Sequence, residues 1–140
     1  LTSRLLSLGA LLAAIAVAIG AFGAHVLPDY LSKAGYDDAA IAQRLDTFET
    51  GARYQMYAAI GICLSGLAQR EARRRTLAAA GWLLLAGAAI FCGLLYALAL
   101  VAPELGWLGA IVPIGGVAMI AGWGALAIGA WPRRGAQKIP

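Results

Sequence analysis

The side chains best able to do chemistry in this 140-residue chain gather around the first two apolar runs. His25 closes the first run, and Glu49, Arg53, Tyr54, Gln55 and Tyr57 crowd the entrance to the second. Glu49 and Arg53 stand four residues apart with the acid N-terminal to the base, the favourable order for an ion pair along a helix. The first expectation is structural: His25, Glu49, Arg53 and Gln55 satisfy one another and fix a long helix against the first run. The second is functional. Imidazole titrates near neutral pH, so His25 with Glu49 would serve a small ligand, an ion or a proton path. Contact with lipid headgroups or a partner protein is the third. Tyr54 and Tyr57 fit each reading, because a phenol sets its ring among apolar groups and its hydroxyl toward polar ones.

Other chemistries find no support. The chain has one His, and Cys63 and Cys92 fall inside different apolar segments, where packing is their expected role. No spacing suits zinc, haem or an iron–sulfur cluster, so no metal site and no cofactor are expected. Gly115-Gly116 follows Pro113 inside an apolar run, which is not the setting of a phosphate-cradling loop. No nucleophile stands beside a base, and the chain is not expected to be an enzyme.

These residues must be positioned by elements that live in a membrane. Leu77 to Val101 and Leu105 to Trp131 each run for about 25 residues without Asp, Glu, Lys or Arg. A helix of that length crosses a hydrocarbon core about 30 Å thick. Composition agrees: 61% of residues are hydrophobic and 13% charged, against roughly 25% charged in a soluble domain. The net charge of +4 lies next to apolar spans, where orientation and anionic lipid explain it and nucleic acid does not.

The first span starts at Leu5, just after Arg4. Arg4, the apolar core and the small residues Gly20, Ala21, Gly23 and Ala24 also fit a secretory signal peptide, but a retained span is expected. Tyr54 to Ala68 is short for a crossing helix. Upstream, Ile41, Leu45, Phe48 and Ala52 recur at helical spacing, and Asp37 or Asp38 is placed to cap. One long helix from about Asp38 to Gln69 is expected, with a break near Gly51 as the alternative. Pro113 is expected to kink the last span. The single domain, residues 1–140, then reads as all-α: an integral membrane four-helix bundle. Its spans cover about 5–24, 52–69, 77–101 and 105–131, with an outer loop and amphipathic extension over about 25–51.

Orientation follows from the basic residues. Arg4, Arg70, Arg73, Arg74, Arg75, Arg133, Arg134 and Lys138 fall on one side; Lys33, Arg44 and Arg53 fall on the other, among six acids. The positive-inside bias puts both termini in the cytoplasm and the acidic loop outside. The arginines of 70–75 and 133–134 are topology signals that also suit anionic headgroups. Small-residue stripes at Ala16/Gly20/Ala24, Gly61/Ser65 and Ala121/Ala125/Gly129 are candidate seams within the bundle or between copies.

Four ordered motifs resemble a known family. Gly20-Ala21-Phe22-Gly23-Ala24-His25 is similar to the GAFGAH signature of small bacterial membrane proteins labelled domain of unknown function 423, a family related to the eukaryotic transmembrane protein 256 group. Phe48 to Tyr57 resembles its E-T-(A/G)-x-R-Y-Q-M-Y segment, Phe91 to Tyr96 its F-S-G-S-L-Y, and Trp107 to Gly116 its L-G-x-x-T-P-I-G-G. Ala58, Cys92 and Val112 stand where relatives often carry His, Ser and Thr. The resemblance implies a four-span protein of the bacterial inner membrane and supplies no activity. The expected role is a structural or accessory component of a membrane complex. The alternative is an oligomeric transporter or channel element that uses the His25, Glu49 and Arg53 region.

Overall fold

A computed structural model describes residues 2–72, 74–101 and 103–132. All regular structure among them is helical: α1 (Thr2–His25), α2 (Leu27–Lys33), α3 (Asp38–Glu71), α4 (Arg75–Leu100), a 3₁₀ segment (Pro103–Ala110) and α5 (Val112–Ala130). Among the described residues three stretches are long and apolar enough to cross a membrane: Arg4–His25, Arg75–Leu100 and Trp107–Ala130. Their outward faces carry large apolar side chains, with Val17 63%, Ile120 73% and Ile128 71% exposed. Water would disfavour such faces and lipid tails do not, so the helices suit contact with a bilayer.

The 34-residue α3 begins where its cap requires. Asp37 stands in extended backbone and its carboxylate accepts the Ala40 N–H at 2.8 Å, satisfying one of the free amides of the first turn. The helix is unbroken at Gly51, which is buried. α2 was not foreseen. Pro28 stands in its first turn, where a missing N–H costs nothing, and Leu27 and Leu31 bury against Phe48 and Ala99. Gly35, at φ +87°, then turns the chain toward α3.

The last apolar run departs from expectation. It is not one helix over 105–131 but a 3₁₀ segment followed by the 19-residue α5. Pro113 lies in the first turn of α5, so it starts the helix and kinks nothing.

The long helices pack in series, α1 on α3, α3 on α4 and α4 on α5. Each pair is antiparallel. Gly9 faces Cys63 and Gly23 faces Phe48 between α1 and α3; Gly61 faces Leu84 and Gly51 faces Tyr96 between α3 and α4. Leu5, Ala58, Ile62, Leu84, Ala88, Cys92 and Met119 form the central core. On α5 the contact residues are Gly115, Gly122 and Gly129, which receive Phe91, Leu84 and Leu77 of α4. That seven-residue spacing keeps the three glycines along one face of α5. The expected stripe Ala121/Ala125/Gly129 is thus only partly the seam: Ala121 is exposed, while Ala125 packs beside Leu126. The stripe at the end of α1 divides similarly, with Ala16 buried and Ala24 exposed.

Candidate functional site

Successive residues of α3 point about 100° apart, and this divides the sequence-derived cluster. Gln55 turns inward and is 4% exposed. Its Nε2 donates to the Leu12 carbonyl at 3.1 Å, and its Oε1 accepts the Tyr96 hydroxyl at 2.9 Å. One carboxamide therefore links α1, α3 and α4. Tyr96 reaches it because Gly51 has no side chain: a Cβ there would lie 2.7 Å from the ring. Phe48 closes the node above, 5.0 Å from Tyr96 and 5.9 Å from Phe22 between ring centroids. Phe48, Gly51 and Gln55 come from one motif and Tyr96 from another, so two separate motifs meet in one contact. Tyr96 was not among the expected site residues. Its place at the end of the Phe91–Tyr96 motif was the available signal.

The rest of the cluster faces outward. Arg53 Nη2 donates to Glu49 Oε1 at 2.7 Å, with the two side chains 51% and 71% exposed. Tyr54 and Tyr57 are exposed, their rings 5.7 Å apart, and Tyr54 lies 5.1 Å from Phe91. His25, the last residue of α1, is exposed and makes no hydrogen bond to Glu49, Arg53 or Gln55. Glu49 instead lines a groove of about 450 Å³ with Gly20, Gly23, Ala24, Pro28 and Leu45. The two glycines of the first motif have different work there. A Cβ on Gly23 would strike Phe48 at 2.8 Å, whereas Gly20 opens on empty space.

Two further arginines act on helix ends. Arg44 lies on the same stripe as Ile41, Phe48 and Ala52 and is 7% exposed. Its Nη1 donates to the Ala99 carbonyl at 2.7 Å, in the last turn of α4, and its guanidinium stacks 4.0 Å from the centroid of Tyr36. A cation at that end complements the helix dipole. Arg74 does the same for α5, donating to Gly129 O at 2.6 Å and Trp131 O at 3.0 Å. Arg70 and Arg75 are exposed at the same end as Arg74; Arg73, Arg133 and Arg134 lie outside the described residues. Sequence reading placed Arg44 on the helix expected from Asp38 and used it only as a charge on the outer side. Its position three residues after Ile41 and four before Phe48 was the sign that it faces the protein.

A family model described as a protein of unknown function, DUF423, matches residues 19–116, the stretch that holds every residue of the Gln55 node except Leu12. The UPF0382 membrane protein YwdK of Bacillus subtilis is 38% identical over 117 residues, covering 83% of this chain and 86% of its own. A UPF0382 membrane protein of Staphylococcus epidermidis is 43% identical over 121 residues, covering 86% and 89%. One from Haemophilus influenzae is 36% identical over 133 residues, covering 92% and 94%. No solved structure matches the chain. With the greater part of its length matched by the family model and by relatives of almost the same extent, the chain belongs to the DUF423 family, whose relatives are named UPF0382 membrane proteins.

Proposed function

We propose that the protein is a four-span structural or accessory component of a bacterial inner-membrane complex, with no catalytic activity of its own. The observation that carries this reading is the closure of its interior. Glycine brings backbones together along the seams: a Cβ on Gly115 would lie 2.5 Å from the Phe91 nitrogen, and one on Gly9 would lie 2.8 Å from the Ala59 carbonyl. Helices in such contact leave no lumen within one chain, and the inward polar groups of Gln55 and Ser65 are spent on carbonyls and on Tyr96. A scaffold needs outward surface, and the outward surface is apolar.

The four-span count rests on α3. It lies antiparallel to α1 from the level of Gly23, at Phe48, to beyond Gly9, at Cys63. That shared length is over 20 Å at 1.5 Å per residue, most of the thickness that α1 would cross, and it supports a fourth crossing by this part of α3. The charges of its first half then sit at and beyond the surface. The alternating directions bring the start of α1, the Arg70–Arg75 turn and the end of α5 to one face, and the basic bias makes that face cytoplasmic.

The test is purification from native membranes in a mild detergent or a lipid nanodisc. A stoichiometric partner, or a defined homo-oligomer, is the expected result. Solute, ion or proton flux through reconstituted vesicles that is lost in His25→Ala would overturn it in favour of a channel assembled from several copies.

A further inference from the structure

Arg44 makes fewer bonds than a buried guanidinium can tolerate. Among the described residues only Nη1 has an acceptor, and Nη2 is buried with no hydrogen-bond partner. Its other compensation, the Tyr36 ring and the end of α4, supplies partial negative charge only. A buried cation lacking a full counter-charge is a strongly unfavourable arrangement. Arg44 also lines a cleft of about 380 Å³ whose other walls are Tyr36, Ala40, Gln43, Thr47 and Leu98. The walls mix donors with an apolar floor, and the cleft opens where α4 ends, at the level where a crossing helix leaves hydrocarbon. We propose that this cleft binds a phosphate-type oxyanion, toward which Arg44 turns its occluded Nη2 as principal donor, and that the phosphodiester of a membrane phospholipid is its source. Guanidinium suits such a group because two N–H bonds can meet two oxygens on one charge. The inference needs the end of α4 at a membrane surface and does not depend on whether the protein is an accessory subunit.

Delipidated full-length protein, titrated with phosphatidylglycerol and observed by native mass spectrometry, tests it. One phosphatidylglycerol should bind with about tenfold preference over the matching diacylglycerol, which lacks phosphate. Arg44→Lys keeps the charge and a donor for Ala99 but loses the fork, and should lower that preference about fivefold. Gln43→Ala with Thr47→Val alters the cleft without touching the α4 end and should lower it as well, which covers the case in which Arg44→Lys fails to fold. Glu104, five residues past Ala99, is the rival counter-ion from the chain itself; Glu104→Gln should leave the preference unchanged. Equal binding of the two lipids with no binding of inorganic phosphate, or a Glu104→Gln variant that gains phosphatidylglycerol, overturns the proposal. Inorganic phosphate that binds wild type but not Arg44→Lys, with no lipid preference, would keep the oxyanion site and assign it to a soluble anion.

Discussion

The α4–α5 seam and the α1–α3–α4 node hold helices together by opposite means. The seam is dry: Leu77 and Leu84 enter the spaces left by Gly129 and Gly122, and the backbones touch at Gly87 and Gly115. The node is polar, built on Gln55, Tyr96 and one carbonyl of α1. In lipid, water exclusion does not bring helices together, so close contact and hydrogen bonds must. A dry seam collects many small dispersion contacts and tolerates no added atom. A polar node makes few bonds and accepts only one geometry, because a lone carboxamide in hydrocarbon finds no substitute partner. The seam supplies affinity between neighbours and the node fixes which faces of three helices meet.

The seam should therefore be the more fragile to added volume. Gly115→Val would press on the Phe91 backbone, 2.5 Å from the new Cβ, and is expected to cost about 3 kcal/mol. Gly124→Ala, on the same helix with nothing within 4 Å, should stay within about 0.5 kcal/mol. Reversible unfolding in mixed micelles measures both. Similar losses at the two positions would mean that helix α5 responds to glycine content and not to contact with α4.

The node should yield less per residue but show coupling. Gln55→Leu and Tyr96→Phe should each cost roughly 0.6–1.7 kcal/mol, between the average and the maximum for hydrogen bonds joining membrane helices. The double variant should cost clearly less than the two singles added together, since each removes the same bond. Strict additivity would separate the residues and remove the node from the account.

How much of this could be read in advance depended on what kind of signal each part leaves. Apolar runs and a capped amphipathic stripe are local patterns, so three spans and the start of α3 were legible. The seam at Gly115, Gly122 and Gly129 was harder, because Ala121, Ala125 and Gly129 make an equally small stripe on the adjacent face. Only the partner helix decides between them. The helix start at Pro113 was missed because the residues just before it, Leu108 to Val112, carry no polar or charged side chain. The polar cluster was found as composition and then divided by geometry: residues 53, 54 and 55 are consecutive, and successive residues on a helix point about 100° apart. Arg44 was counted as an outer-side charge, although its register on the expected helix put it on the apolar stripe.

At the end of the seam, Arg74 offers an intermediate case, a polar clamp on an apolar pair. It closes α5 by donating to Gly129 and Trp131. Arg74→Gln is expected to cost about 1 kcal/mol, less than a buried charged bond because the site is partly open to solvent. Hydrogen exchange should speed up in the last turn of α5 and leave the node unchanged. Exchange that rises equally at Gln55 would show that seam and node are one cooperative unit.

The smallest effect sharpens the comparison most. Glu49 and Arg53 flank the node in sequence and form the shortest side-chain pair near it, at 2.7 Å, yet both are exposed. If polarity alone held the helices, Glu49→Gln would rival Gln55→Leu. If facing inward is what matters, the exposed pair contributes little, as exposed pairs do. The expected result for Glu49→Gln is an unfolding midpoint that matches wild type within error, at low and high salt alike. A loss comparable to that of Gln55→Leu would place the ion pair inside the contact between α1 and α3 and erase the distinction between the two faces of α3.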